Sequence, residues 1–281
     1  FRYSSSENAF WNGTNLQNIP KGVEAKEPED LELPNIRKLF IPDEGFTFFD
    51  MDLDRADLQV VVWEAEDEDM KRMLRLGVDM HCAAAVDIWS LPGIPIEELV
   101  QTHPNYKDHR ARITEPKRHM AKGGVHATDY ACKPPTFASQ FGCTIKEAER
   151  FQNGWFARHP GIKRWHERTA ACSKQGFVEN IFGYRWYFFD RFNLPDALAW
   201  QPQSVVGRAI NEAWVRIHHQ APQIQVLLQV HDSLAGQFPT HLKSKCLADL
   251  KNLAPTTIPY PDPLVIPVGI KTSELSWGDC V

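Results

Sequence analysis

The chain has 281 residues, 43% of them apolar and 24% charged, a length and balance that suit one or two ordinary globular cores and argue against intrinsic disorder. A formal net charge of −5 is not that of a protein coating nucleic acid by bulk positive charge. No run approaches the eighteen or so apolar residues of a membrane span, so a soluble protein is expected; a cytoplasmic location and a monomeric state are separate expectations. Six widely separated cysteines include no C-x2-C pair, which reads as free thiols rather than a zinc clasp. The sequence opens on Phe1 with no charged stretch followed by an apolar run, and this abrupt start predicts a piece of a longer chain.

In chain order, GFTFFDMDL reads as a buried strand ending in acidic residues, and DLQVVVWEAE after it can begin a helix. Residues 66–89, 116–131, 145–175 and 197–220 are predicted helices, separated by proline-bearing loops near 20–45, 91–105 and at Pro134 and Pro135. IQVLLQV, a turn at His231 and Asp232, and SLAGQF then read as a β-hairpin, before a last proline-rich loop near 255–267. Helices in the middle with strands toward both ends predict an α+β fold in which a helical subdomain is inserted into a sheet.

Asp50, Asp52 and Asp54 alternate along the strand and its end, so their carboxylates should share one face, a place for a hard cation. An EF-hand loop would need Gly and Glu where Arg55 and Val61 stand, which rejects it. Taken alone, an acidic strand end is more often a solvated turn than a metal site. A second carboxylate is available at Asp232, held between two apolar runs. Two such groups could bridge a pair of Mg²⁺ ions about 3.5 to 4 Å apart in phosphoryl transfer. The basic stretch from Lys107 to Lys122, which by itself reads as a solvated face, leads into KRHMAKGGVHATDYA. There Arg118, Lys122, His126 and Tyr130 recur every four residues and form one gently twisting helical stripe. Cations along such a stripe suit phosphate oxygens and an aromatic ring suits a base, whereas a solvated basic helix with Tyr130 in the core is the plainer alternative. Gly123 and Gly124 weaken this helix by on the order of 1 kcal/mol each against Ala.

In their order and spacing these pieces resemble family A DNA polymerases, typified by bacterial DNA polymerase I, over nearly the whole chain. RYSSS and NLQNIP resemble the segment before motif A, which implies that Arg2, Asn15, Gln17 and Asn18 lie near primer and template. DLDRADLQ resembles motif A with Asp52 on the catalytic aspartate, and DMH at 79–81 matches a D-I-H element that puts His81 near the incoming phosphates. RHMAK followed by Tyr130 resembles motif B, implying that Arg118 and Lys122 hold the triphosphate and that Tyr130 lies beside the templating base. PQS at 202–204 would bring Gln203 to the minor groove. QVHDS at 229–233 resembles motif C, making Asp232 the second metal aspartate and His231 a neighbour of the primer terminus, and the closing IPVGIKTSELSWGD resembles the family's terminal strand and tail.

The resemblance implies a palm with an antiparallel sheet (residues 1–92 and 196–281), inserted fingers (93–195) and no thumb in this chain. It implies two Mg²⁺ ions as cofactors, with primed template DNA and dNTPs as partners. The expected activity is addition of deoxynucleotides to a primer 3′-hydroxyl with release of pyrophosphate. A single-subunit RNA polymerase, or an inactive nucleic-acid-binding relative, is the alternative. Asp57 stands where the family has the Glu that hinders a 2′-hydroxyl, His126 where it has Phe or Tyr, Ala131 where it has Gly, Gln59 where it has Arg and Ser233 where it has Glu. Such divergence is compatible with a phage or viral branch.

Overall fold

A computed structural model describes residues 19–22 and 33–280. The elements follow one another as β1 (Phe46–Leu53), α1 (Ala56–Glu64), α2 (Glu68–Arg75), α3 (Met80–Trp89), α4 (Tyr106–Ala111), α5 (Glu115–Asp129), α6 (Pro134–Phe141), α7 (Ile145–Arg158) and α8 (Pro160–Ala171). A short hairpin of β2 (Phe177–Glu179) and β3 (Arg185–Tyr187) precedes the long α9 (Leu194–Gln220). The chain closes with β4 (Gln225–Val230), β5 (Ser233–Pro239), α10 (Lys243–Leu253), β6 (Thr257–Ile258), β7 (Leu264–Val265) and β8 (Val268–Ser273). The fold is thus α+β with an antiparallel sheet. The chain divides into two compact units, one joining the chain up to Ala56 with Gln203 onward, the other Asp57–Pro202.

The first unit is built on a four-stranded sheet of order β4-β5-β1-β8, in which β1 pairs antiparallel with β5 and with β8. A central strand is covered on both faces and loses strict alternation, which is why Thr47, Phe48 and Phe49 are buried in succession. Phe48 stacks on Trp277, and with Ile19, Val230 and Ala235 they form a core cluster. At Gly236 an added Cβ would fall 2.1 Å from the carbonyl oxygen of Gln225, so only glycine lets β4 and β5 meet there.

The second unit is helical, and its breaks show where sequence periodicity misleads. The expected helix over 66–89 is two helices. The chain turns at Gly77 (φ 73°), and Asp79 caps α3 by accepting from the amides of His81 and Cys82, both at 3.1 Å. The expected helix over 145–175 is likewise divided, because Pro160 opens α8 at its first position, where its missing N–H costs nothing. Asp67, cap of α2, and His159, between α7 and α8, form a buried pair at 3.1 Å that ties these corners together. Helix α5 packs on α3, α6 and α7. Gly123 and Gly124, weak helix formers, are where that packing is tightest: a Cβ on Gly124 would sit 2.8 Å from both Phe137 and Phe151, and one on Gly123 2.6 Å from Phe141.

Gly124→Ala therefore sets a helix-propensity gain of about 1 kcal/mol against overpacking between two buried rings, typically about 1–3 kcal/mol. Urea denaturation is expected to show a net loss of stability; a variant more stable than the parent would contradict this packing.

Candidate active site

In the first unit the two carboxylates singled out by sequence are brought together by strand register. Asp52 on β1 lies opposite Ser233, the first residue of β5, and the amide of Leu53 donates to the carbonyl of Asp232 at 3.1 Å. Val230 pairs with Ser233, so His231 and Asp232 form a two-residue hairpin loop. Such loops demand positive φ, and His231 adopts it (φ 56°), a conformation in which His is among the enriched non-glycine residues. The Ser233 hydroxyl donates to the carbonyl of Val230 at 2.8 Å, and the Gln229 side chain donates to the carbonyl of His231. The loop bearing Asp232 is therefore fixed from both of its strands.

The neighbouring acids are engaged elsewhere. Asp50 accepts from the Trp277 indole at 3.0 Å and pairs with Arg37 at 3.8 Å, while the Arg37 guanidinium lies 4.2 Å over the Trp277 ring. Asp54, just beyond the end of β1, accepts from Arg55 through both Nε (3.0 Å) and Nη2 (2.7 Å). Asp52 is left facing other acids. Although the residue keeps solvent access, its carboxyl is pushed up to about 6, first by loss of hydration, then by Asp232, Asp50 and Asp54, against the pull of Lys21. A carboxylate pair that resists sharing its negative charge is the donor set a divalent cation relieves. Among the described residues no three His, Cys, Asp or Glu side chains converge into a cage. The pair thus fits Mg²⁺, which is usually held by one or two carboxylates plus water and phosphate, better than an ion needing an all-protein cage. Gln203 follows Pro202 within α9 and is half-buried.

In the second unit the polar stripe lies on α5. Arg118 is half-buried and pairs with Asp79 at 3.3 Å, whereas Lys122 and His126 are exposed. Tyr130 caps the helix; its ring meets His126 edge-on at 4.7 Å and packs against the core cluster of Val61, Ala65, Ile162, Trp165 and Leu198. Ala131 takes the left-handed conformation (φ 55°), with amide bonds from Ala131 to Thr128 (3.0 Å) and from Cys132 to Ala127 (2.8 Å). This is the Schellman ending, whose left-handed residue is usually glycine. His81 lies in the first turn of α3, and Asp57, half-buried, in the first turn of α1, where a carboxylate is favoured by the helix dipole. Arg2, Asn15, Gln17 and Asn18 lie outside the described residues.

Sequence reasoning gave no role to Lys21, Asp79, Tyr106 or Asp129. Asp79 carries a readable signal, an acid directly before an alanine-rich helix; Tyr106 opens the short α4 and Lys21 lies ahead of β1, neither within a recognisable pattern. Asp129, last residue of α5, is buried, accepts from the Trp155 indole at 2.8 Å, and its backbone carbonyl contacts His166 at 2.7 Å. Burial pushes its carboxyl up to about 7, with Asp67 adding to the rise and the Trp155 bond opposing it.

A family model described as DNA polymerase family A matches residues 10–274. The chain is 26% identical over 275 residues to the thermostable DNA polymerase I of Thermus filiformis, covering 91% of this chain and 29% of that protein. It is 25% identical over 271 residues to DNA polymerase I of Pseudomonas aeruginosa, covering 91% of this chain and 27% of that one. The chain therefore spans less than a third of the length of these relatives. Among solved structures, the POL domain of Pol1 from M. smegmatis, in complex with DNA primer-template and dNTP, superposes with a TM-score of 0.73 at 20% identity, covering 94% of this chain and 44% of that one, and so shares the fold.

The raised Asp129 carboxyl has a consequence for stability. An unfolded Asp titrates near 3.9, so the protonated native form stabilises the fold fully below that value, and the contribution is lost as pH rises through about 7. Asp129→Asn keeps an oxygen for Trp155 and cannot ionise. Thermal melts across pH 4 to 8 should show the variant's advantage over the parent growing with pH and levelling off above 7, reaching up to a few kcal/mol. Parallel profiles would contradict the assignment.

Proposed function

The chain belongs to DNA polymerase family A, and from that premise we propose that the protein containing it is a template-directed DNA polymerase, adding deoxynucleotides to a primer 3′-hydroxyl with release of pyrophosphate. The observation that carries this reading is the strand register that sets Asp52 opposite Ser233 with Asp232 beside it and leaves the Asp52 carboxyl in the field of other acids. Asp52 and Asp232 are the residues that would hold two Mg²⁺ ions. When bound, such ions lower the pKa of the attacking hydroxyl and neutralise the leaving oxygens.

The remaining roles fall to the chain's own side chains. Arg118, Lys122 and His81 bind the triphosphate, where guanidinium and ammonium groups offset charge that builds as pyrophosphate departs. Tyr130 lies beside the templating base, His126 faces the sugar of the incoming nucleotide, and Asp57 offers a shorter arm than Glu against a 2′-hydroxyl. His231 and Gln203, with Arg2, Asn15, Gln17 and Asn18, contact the primer and template. In this reading the palm comprises residues 1–92 and 196–281, with the fingers, 93–195, inserted between them. Base choice comes from pairing with the template, so the protein need only monitor the minor groove, whose acceptors are common to all pairs.

Primer extension by the full-length protein with Mg²⁺, supplied separately with dNTPs or rNTPs, tests this. Extension with dNTPs is expected, and Asp232→Ala should reduce it by roughly a thousandfold or more, as loss of several kcal/mol of metal-dependent stabilisation requires. Equal use of rNTPs would overturn the choice of sugar, and activity undiminished in the variant would overturn the assignment of the carboxylates.

A further inference from the structure

The proposed triphosphate ligand Arg118 is not simply a cation on a helix surface. Its Nη2 contacts Asp79 Oδ2 at 3.3 Å, and its Nε is buried with no acceptor. Asp79 is buried and heavily subscribed. Oδ1 accepts from the amides of His81 and Cys82, and Oδ2 accepts from the Cys82 thiol at 3.2 Å and the Tyr106 hydroxyl at 3.0 Å besides Arg118. Tyr106 and Arg118 therefore meet on one carboxylate oxygen. The phenol is pushed up to about 12 by burial and by Asp79, so at neutral pH it is a proton donor to that oxygen.

The phenol is itself held in place. It stands at the start of α4, which is tied back by Glu98 accepting from Asn105 at 2.8 Å and contacting His109 Nε2 at 2.7 Å. The segment bearing Glu98 is joined to the approach to Asp79 by a bridge between Val78 and Val100 and by the Asp79 amide donating to the Leu99 carbonyl at 2.7 Å. The first residue of a short helix without sequence pattern thus delivers a hydroxyl to the carboxylate that aims Arg118.

We propose that Tyr106 is a positioning residue for nucleotide binding, acting through Asp79 on the Arg118 guanidinium. This rests on the reading of Arg118 as a triphosphate ligand. By taking up part of the basicity of Asp79 Oδ2, the phenol keeps the ion pair loose: the guanidinium is oriented, but its contact with Asp79 is long at 3.3 Å, and the side chain keeps some solvent access through which its outer donors can meet a phosphate oxygen. Without the hydroxyl, Asp79 Oδ2 keeps two donors instead of three, holds Arg118 more closely and competes with the nucleotide.

Steady-state primer extension by the full-length protein, with dNTP varied, provides the test in a cycle of Tyr106→Phe, Arg118→Lys and the double variant. Tyr106→Phe keeps the ring and should raise KM for dNTP about fivefold with kcat changed less than twofold, as expected for a lost hydrogen bond to a charged group that acts on binding. Arg118→Lys should raise KM about tenfold or more, since an ammonium cannot present the paired donors, and the double variant should be no worse than Arg118→Lys alone. If the two effects multiply, or if Tyr106→Phe lowers the melting temperature while leaving KM unchanged, Tyr106 does not act through Arg118 and the inference falls while the reading of Arg118 stands. If Arg118→Lys leaves KM unchanged, the reading of Arg118 falls and takes the inference with it.

Discussion

The antiparallel pairing of β1 with β5 is the constraint on which the first unit depends. Register in a sheet is all or nothing, because a slip by one residue sends every side chain to the opposite face. Here the register is pinned by the buried run Phe48, Phe49 and Met51 on one strand and by the close passage of Gly236 against Gln225 on the other side of β5. Once it is set, Asp52 and Asp232 follow as neighbours, and a slip that improved packing elsewhere would part them. The cost is visible in the raised Asp52 carboxyl: the fold holds together like charges that would separate in a free chain.

The helical unit uses its acids differently. Asp67 and Asp79 both cap helices, and each is also paired to a cationic or imidazole side chain from a distant part of the chain, His159 and Arg118 respectively. The hydrogen bonds hold both carboxyls below the usual carboxylate range despite burial, which acts in the opposite direction. Asp129, fully buried, accepts from the Trp155 indole and rises instead. Three buried acids thus sort by the donors supplied to them, a local chemistry that governs which are charged at neutral pH.

Much of this could be read from the residues. The FTFFDMDL strand, the two-residue turn between QVLLQV and SLAGQF, and the helix bearing Arg118 and Lys122 announce themselves by periodicity and turn chemistry. Helix ends were less legible: Gly77 with Asp79, and Pro160, break runs whose apolar spacing continues across them, since periodicity records which face is buried and not where hydrogen bonding stops. Asp50 and Asp54 could not be told from Asp52 by composition. Their difference is made by Arg37, Trp277 and Arg55, two of which are distant in sequence from the acid they hold. The contribution of Tyr106 was invisible for the same reason, as it depends on where the short α4 is brought back against Asp79.

The central physical claim is that Asp52 and Asp232 share one electrostatic environment. Carbon-13 NMR titration of the Asp52 carboxyl, in the parent protein and in Asp232→Asn, measures it directly. The parent is expected to titrate near 6, and the midpoint should fall toward the ordinary aspartate value when the neighbouring charge is removed, and fall further when Mg²⁺ is added to the parent. A midpoint unmoved by either change would mean that the two carboxylates do not sense each other, and the account of the site would be wrong.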